Sequence, residues 1–255
     1  MGRHIYRRKS KSAAIYVPIA VLLVLFLVTL GTSVFLKIIK IEVNGVSMYT
    51  EEEIIVASGI VAGENMLLVD AGEVSRKIYS ALPYIQEVNV RFNPPDMMQI
   101  NVRETTAFAA ISCLDGTVLI DSACRVLERI DDAPGGMFMV RGFVPIDVRI
   151  GSALRADPSD ETRLRRLAEI LPAIDKAMIQ DDVAYLDVTD VGYVNLVYKD
   201  QFTIIISGSG GSLNRLSMLP DTVSSLIRDP KYDASVRYKA ELTDLADSWR
   251  WSPMS

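Results

Sequence analysis

The hydrophobic pattern changes character along the chain. From Ala13 to Leu36 there is no alternation: 24 residues, fifteen of them Leu, Ile, Val or Phe, with Tyr16 the one ionisable side chain. As a helix this run reaches about 36 Å, beyond a hydrocarbon core of about 30 Å. Each centrally placed large apolar residue favours insertion by about 0.3–0.6 kcal/mol, so a retained membrane span is expected over residues 13–36. Pro18 falls in its first turns, where a missing N–H costs little. A cleavable signal would have an apolar region of only about 7–15 residues followed by small residues. This run instead ends in Val34-Phe35-Leu36-Lys37. A buried core helix fits less well, because nothing on the run is polar enough to face water.

Past Lys37 the pattern has a period of two, then of about four. Ile39, Ile41 and Val43 alternate with Lys40, Glu42 and Asn44, as in a half-buried strand. Asn44-Gly45 turns the chain. Thr50 to Glu53 reads as a capping box opening a short helix that stops near Gly59. Asp70 reads as a second N-cap; Val74, Ile78 and Leu82 follow at helical spacing, and Pro83 ends the helix. Val88, Val90 and Phe92 share a face of the next strand. Met98, Ile100 and Val102 do so in a third, after the Asn93-Pro94-Pro95-Asp96 break. The predicted order over residues 37–104 is strand, helix, helix, strand, strand.

Residues 105–255 read as an α+β layer: an antiparallel sheet with packed helices. Asp115-Gly116 is the signature of a two-residue hairpin turn, which places Cys113 opposite Val118 and Cys124 in or near the next turn. Leu164, Leu167, Leu171, Ile174 and Met178 form a helical stripe, interrupted or kinked at Pro172. Strands are expected over Val183–Val188, Tyr193–Lys199 and Phe202–Ser207. A helix near Leu213–Ile227 contains Pro220, and strand-like residues return over Ser235–Asp244.

Charge sets the orientation. Arg3, Arg7, Arg8, Lys9 and Lys11 precede the apolar run with no acid among them, so a chain of net charge −5 leaves −10 on the remainder. The positive-inside rule places residues 1–12 in the cytoplasm and everything after Leu36 outside. An acidic outer part without a basic-aromatic stripe gives no support to nucleic-acid binding. Both cysteines lie where a disulfide is permitted, yet their spacing in the strand pattern favours two free thiols.

Catalytic chemistry finds few footholds. The single histidine, His4, lies across the membrane from the large domain, which excludes Ser-His-Asp and Cys-His catalysis there. Two cysteines ten residues apart match no common zinc pattern. Asp131-Asp132 and Asp181-Asp182 read as solvated charge rather than the convergent acids of a glycosidase. Gly208-Ser209-Gly210-Gly211 joins a strand to a helix, but no Lys-Ser/Thr follows as in a phosphate-binding loop. No cofactor or metal is implied. By composition and pattern alone, this is a membrane-anchored extracytoplasmic interaction domain; a membrane-anchored wall hydrolase and an envelope transport component are the rival classes.

Three segments carry a resemblance. Lys40-Ile41-Glu42-Val43-Asn44-Gly45 looks like the opening strand and turn of a POTRA domain. Leu82-Pro83-Tyr84-Ile85-Gln86-Glu87-Val88 looks like its link between helix and strand. Met98-Gln99-Ile100-Asn101-Val102-Arg103-Glu104 looks like its closing strand. One copy following a membrane anchor is the arrangement of the bacterial cell-division family FtsQ/DivIB. Glu104 to Ala109 is similar to that family's glutamate-arginine-x-proline-x-alanine passage, with threonine at both Thr105 and Thr106. Val118-Leu119-Ile120-Asp121 and Arg125-Val126-Leu127-Glu128 resemble the hairpin that opens its β domain. The resemblance implies a non-catalytic scaffold of the division machinery at the septal membrane, in complex with FtsL and FtsB/DivIC and controlling septal peptidoglycan synthesis. It implies a basic tail (1–12), a span (13–36), a POTRA domain (37–104) and a β domain (105–255). It further implies a partner strand added at the C-terminal end of the sheet, on Glu241, Leu242, Thr243 and Asp244, then Trp249, Arg250, Trp251 and Ser252. Glu241 and Thr243 stand where the family has aspartate and arginine. Edge strands accept added strands because their outer N–H and C=O groups are unpaired. Trp249 and Trp251, two apart, share a face, where they either anchor a partner or cover the domain's own core.

Overall fold

The computed structural model describes residues 13–207, 210–243 and 249–254. The expected cytoplasmic tail, residues 1–12, lies outside them. Helix α1 (Ala13–Phe35) carries no Asp, Glu, Lys or Arg over its 23 residues, and its side chains are described at 16–27 and 31. Among the described residues, no helix is long and apolar enough to cross a membrane. The chain divides into two compact units, one running to residue 80 and then over 85–104, the other comprising 81–84 and 105–255.

In the first unit the elements are β1 (Lys40–Asn44), α2 (Glu51–Ser58), a single 3-10 turn (Met66–Leu68), α3 (Ala71–Ala81), β2 (Ile85–Asn93) and β3 (Met97–Glu104). The order is the one the sequence predicts. Glu53 N donates to the Thr50 hydroxyl at 3.2 Å while Thr50 N donates to the Glu53 carboxylate at 2.8 Å, so the capping box opens α2. Asp70 Oδ1 accepts from Gly72 N at 2.8 Å and so caps α3. The sheet order is β1-β3-β2: β1 runs parallel to β3, and β2 is antiparallel to it. Ile54, Val74, Ile78, Met98 and Ile100 are buried in this unit's core. Gly45 has φ +89°, and a Cβ there would lie 2.0 Å from the Val102 carbonyl oxygen, so only glycine lets β1 turn this close to β3.

In the second unit β4 (Ala109–Cys113), β5 (Gly116–Ile120), β6 (Val126–Ile130) and β7 (Met139–Arg141) precede α4 (Glu161–Ala177). Then come β8 (Val183–Asp187), β9 (Val194–Tyr198), β10 (Phe202–Ile206), α5 (Gly210–Leu213), α6 (Leu219–Ile227), β11 (Tyr238–Leu242) and β12 (Trp251–Pro253). They form a nine-stranded sheet in the order β12-β11-β10-β9-β8-β7-β4-β5-β6. The sheet is mixed, which corrects the antiparallel expectation: β4–β7, β7–β8 and β10–β11 are parallel. The helices are the reason. A parallel neighbour needs a crossover of a dozen or more residues, which α4 supplies between β7 and β8 and α5–α6 supply between β10 and β11. The core includes Phe138, Leu167, Ile174, Tyr198, Phe202 and Ile204.

Two local expectations also change. The β4–β5 turn is Leu114-Asp115, one residue earlier than predicted, so Cys113 pairs with Gly116 and Ile111 with Val118. Gly116 is needed for another purpose: its φ is +117°, and a Cβ would stand 2.9 Å from the Ile130 carbonyl oxygen on β6. Helix α4 runs through Pro172 without interruption. Losing one backbone bond costs about 3 kcal/mol, whereas Leu167, Ile170, Leu171 and Ile174 are buried on that helix at about 1.5–3 kcal/mol each. The later helix is broken, with a 3-10 stretch (Asn214–Met218) before α6 and Pro220 in the first turn of α6.

Candidate functional site

Strand β12 is the outermost strand at one end of the large sheet, paired antiparallel to β11 with Tyr238 opposite Pro253, Lys239 opposite Ser252 and Ala240 opposite Trp251. Met254 N donates to Arg237 O at 2.7 Å, and Tyr238 N donates to Gln201 O at 3.0 Å in the other direction. In an antiparallel pair the bonding direction alternates residue by residue. Ser252 therefore faces β11, and the N–H and C=O of Trp251 face outward from the sheet. Proline at 253 removes the next outward donor.

The indoles back this edge. Trp249 and Trp251 stack with centroids 6.0 Å apart and planes 11° off parallel. Trp251 meets Phe202 edge-on at 5.6 Å, Phe202 lies over Tyr238 at 6.3 Å, and Tyr238 stacks on Tyr232 at 5.5 Å. Both tryptophans are half-buried against the core. Each indole Nε1 is buried, with no hydrogen-bond partner among the described residues. An unmet buried donor costs about 1–3 kcal/mol.

The other expected site residues are distributed around this pair. Glu241 and Leu242 lie on β11, one strand in from the edge, with Leu242 buried and Glu241 exposed. Thr243 lies just past β11, and its carbonyl accepts from the Arg215 guanidinium. Asp244 lies outside the described residues. Arg250 precedes β12 and is exposed, and Ser252 is within it. The sequence reading missed Phe202, Tyr232 and Tyr238, which build the aromatic floor, and Arg215. Their positions in the chain carry no common signal: the β10–β11 pairing sets Phe202 opposite Tyr238, Tyr232 joins by stacking on Tyr238, and Arg215 reaches the Thr243 carbonyl.

Groups suggestive of chemistry are occupied structurally. Cys113 and Cys124 are free thiols. Burial, helped by the Asp121 carboxylate, pushes the Cys124 thiol up to about 12, the opposite of an activated nucleophile. Asp182 accepts from the Tyr198 hydroxyl at 2.6 Å and pairs with Lys199 at 3.4 Å. Gly208 and Ser209 lie outside the described residues, and the helix that follows them spans four residues. Among the described residues, no group of three or more His, Cys, Asp or Glu is placed to hold a metal ion.

The family model described as "POTRA domain, FtsQ-type" matches residues 36–105, the segment holding β1–β3 and the helices between them. The cell division protein FtsQ of Corynebacterium glutamicum is 27% identical over 181 residues, covering 68% of this chain and 81% of that one. These matches support the FtsQ/DivIB family. The cell division protein FtsQ of Streptomyces griseus is 24% identical over 151 residues, covering 53% of this chain and 73% of its own. The cell division protein DivIB of Clostridium botulinum is 28% identical over 152 residues, 59% of each chain. All three relatives are named as cell-division proteins, and the POTRA match falls on the first unit.

Proposed function

We propose that this protein is a non-catalytic, single-pass scaffold of the bacterial divisome. Its first twelve residues are cytoplasmic, α1 crosses the membrane at the septum, and both outer units stand outside the cytoplasm. Its partners are FtsL and an FtsB/DivIC protein, through which it acts on septal peptidoglycan synthesis. The span rests on the 23 uncharged residues of α1 and the five cations before it.

The observation that carries the partner site is the β12 edge: an outward Trp251 N–H and C=O, backed by two stacked indoles whose donors have no partner among the described residues. An incoming strand pairs with the outward Trp251 groups, with the stacked indoles as an apolar backing behind it. The sheet's opposite edge is less open. On β6, Val126 already donates to Ser152 O at 2.9 Å and accepts from Gly151 N at 2.7 Å, and Glu128 and Arg129 place charge along the strand. Such features blunt an edge. Depletion in the source bacterium tests the function as a whole: filaments with blocked septa are expected, and normal division overturns the proposal.

A further inference from the structure

Immediately after α1, the chain is stitched to a turn of the first unit. Leu36, one residue past the helix end, accepts from Met66 N at 2.8 Å; Ile38 N donates to Glu64 O at 2.9 Å; Gly63 N donates to Ile38 O at 2.8 Å. Lys37 and Asn65 form an antiparallel bridge between these bonds. Asn65 Oδ1 accepts from Leu67 N at 3.0 Å, and Met66 is buried, which anchors the turn. The apolar residues on either side of that anchor point the other way: Val61 is 62% exposed, Leu67 65% and Leu68 84%. Three large aliphatic residues on this stretch are thus more exposed than buried.

Their place along the chain indicates what covers them. Leu68 is two residues from Met66, so its Cα lies within about 7 Å of that of Met66, and Met66 N is hydrogen-bonded to the residue that ends the apolar run. The polar layer on each side of a hydrocarbon core is about 5–8 Å thick. With Leu36 at the hydrocarbon boundary, the Cα of Leu68 is at most about 12 Å from that of Leu36, so its side chain is within reach of that layer, where apolar side chains on a surface segment insert.

We propose that the turn Val61–Leu68 is a lipid-contact surface, which seats the first unit on the outer face of the membrane through Val61, Leu67 and Leu68. This rests on α1 spanning the bilayer. The stitch at Leu36–Ile38 then makes α1 and the first unit one continuous membrane-engaged body rather than a domain on a loose tether.

The test uses the full chain reconstituted in vesicles of phosphatidylethanolamine and phosphatidylglycerol. Cys113→Ser removes the partly exposed thiol, and Cys124 is buried. A bimane fluorophore is then placed at Leu68→Cys, at Leu114→Cys in the 89% exposed β4–β5 turn, or at Val24→Cys within α1. Phospholipids brominated near the top of the acyl chain are expected to remove most of the fluorescence at 68 and little at 114, and phospholipids brominated near the chain end, at the depth of residue 24, report on the label there. A label at 68 that behaves like the one at 114, while the label at 24 is quenched, overturns the lipid contact and leaves the span intact. The same result is expected if a protein partner, not lipid, covers the turn. A label at 24 that is not quenched removes the span, and the lipid contact with it.

Discussion

The two compact units are stabilised differently. The first unit has a three-stranded sheet and polar wiring at its turns: a capping box at Thr50, an Asp70 cap, and the carboxylate of Glu104. That carboxylate, at the end of β3, accepts from the backbone N–H groups of Ser47 at 3.1 Å, Met48 at 2.6 Å and Tyr49 at 3.1 Å, and from the Ser47 hydroxyl. The second unit buries a continuous apolar cluster beneath nine strands. The difference teaches what each should respond to: the first to loss of individual hydrogen bonds and to acid, the second to loss of volume.

The largest expected effect is Phe202→Ala. It removes a fully buried ring that touches both Tyr238 and Trp251, and such truncations cost about 3–5 kcal/mol. Both tryptophans of the chain are in the second unit, so tryptophan fluorescence during denaturant unfolding reports that unit alone. Its midpoint should fall sharply while hydrogen exchange in α2 and α3 is unchanged. An unchanged midpoint would show that the comparison is wrong.

Next is the edge itself. Trp251→Ala should weaken capture of an FtsB/DivIC-type partner by about 2 kcal/mol or more, roughly 30-fold, since buried aromatic anchors dominate such interfaces. It should also lower the midpoint of the second unit, because Trp251 packs on Phe202. Trp251→Phe separates the two roles by keeping a ring and deleting the indole donor. Titration calorimetry should then show a binding loss of less than about 1 kcal/mol, with stability normal or slightly raised because the unmet donor is gone. Unaltered binding by both variants would place the partner elsewhere.

Thr50→Ala removes one cap of α2, at about 1 kcal/mol. Faster exchange in α2 is expected, with no shift in the tryptophan-monitored transition. A change in the second unit would reveal coupling that the packing of each does not suggest.

The smallest effect is Glu104. Burial alone would raise its pKa, but the hydrogen bonds from Ser47, Met48 and Tyr49 outweigh it and hold the carboxyl below its ordinary 4.5. A carboxyl whose folded pKa is depressed contributes stability that is fully present above the unfolded value. That contribution is lost as pH falls below about 4.5 and through the folded value. Glu104→Gln should flatten the acid limb of the first unit's stability between those limits, read by exchange in β1 and β3. A limb as steep as that of the unsubstituted chain would assign the acid response to other carboxylates.

Much of the first unit was legible because its signals are local. Thr50 with Glu53, Asp70, Pro83 and the alternation through Met98, Ile100 and Val102 each act within a few residues, and each element formed where those residues stand. Even Glu104, read only as part of a motif, proves to be the acceptor for a loop more than fifty residues earlier. That pairing has no local signature. The same limit explains the misplaced β4–β5 turn. Asp115-Gly116 has turn chemistry, but Gly116 answers to the close approach of Ile130, which a sequence window does not contain.

By itself, the sequence determined the apolar run before Lys37, the charge asymmetry about it, the element order of the first unit and the pairing of two tryptophans near the end. These depend on period, composition and residues close in the chain. Tertiary structure alone decided that the large sheet is mixed, that β12 and not β11 is the outer strand, that Trp251 presents its backbone outward while its ring rests on Phe202, and that Leu67 and Leu68 are exposed beside Leu36. Each depends on which distant segment wins a contact. That choice is made by the summed burial and hydrogen bonding of the whole unit, because no single stretch contains both partners.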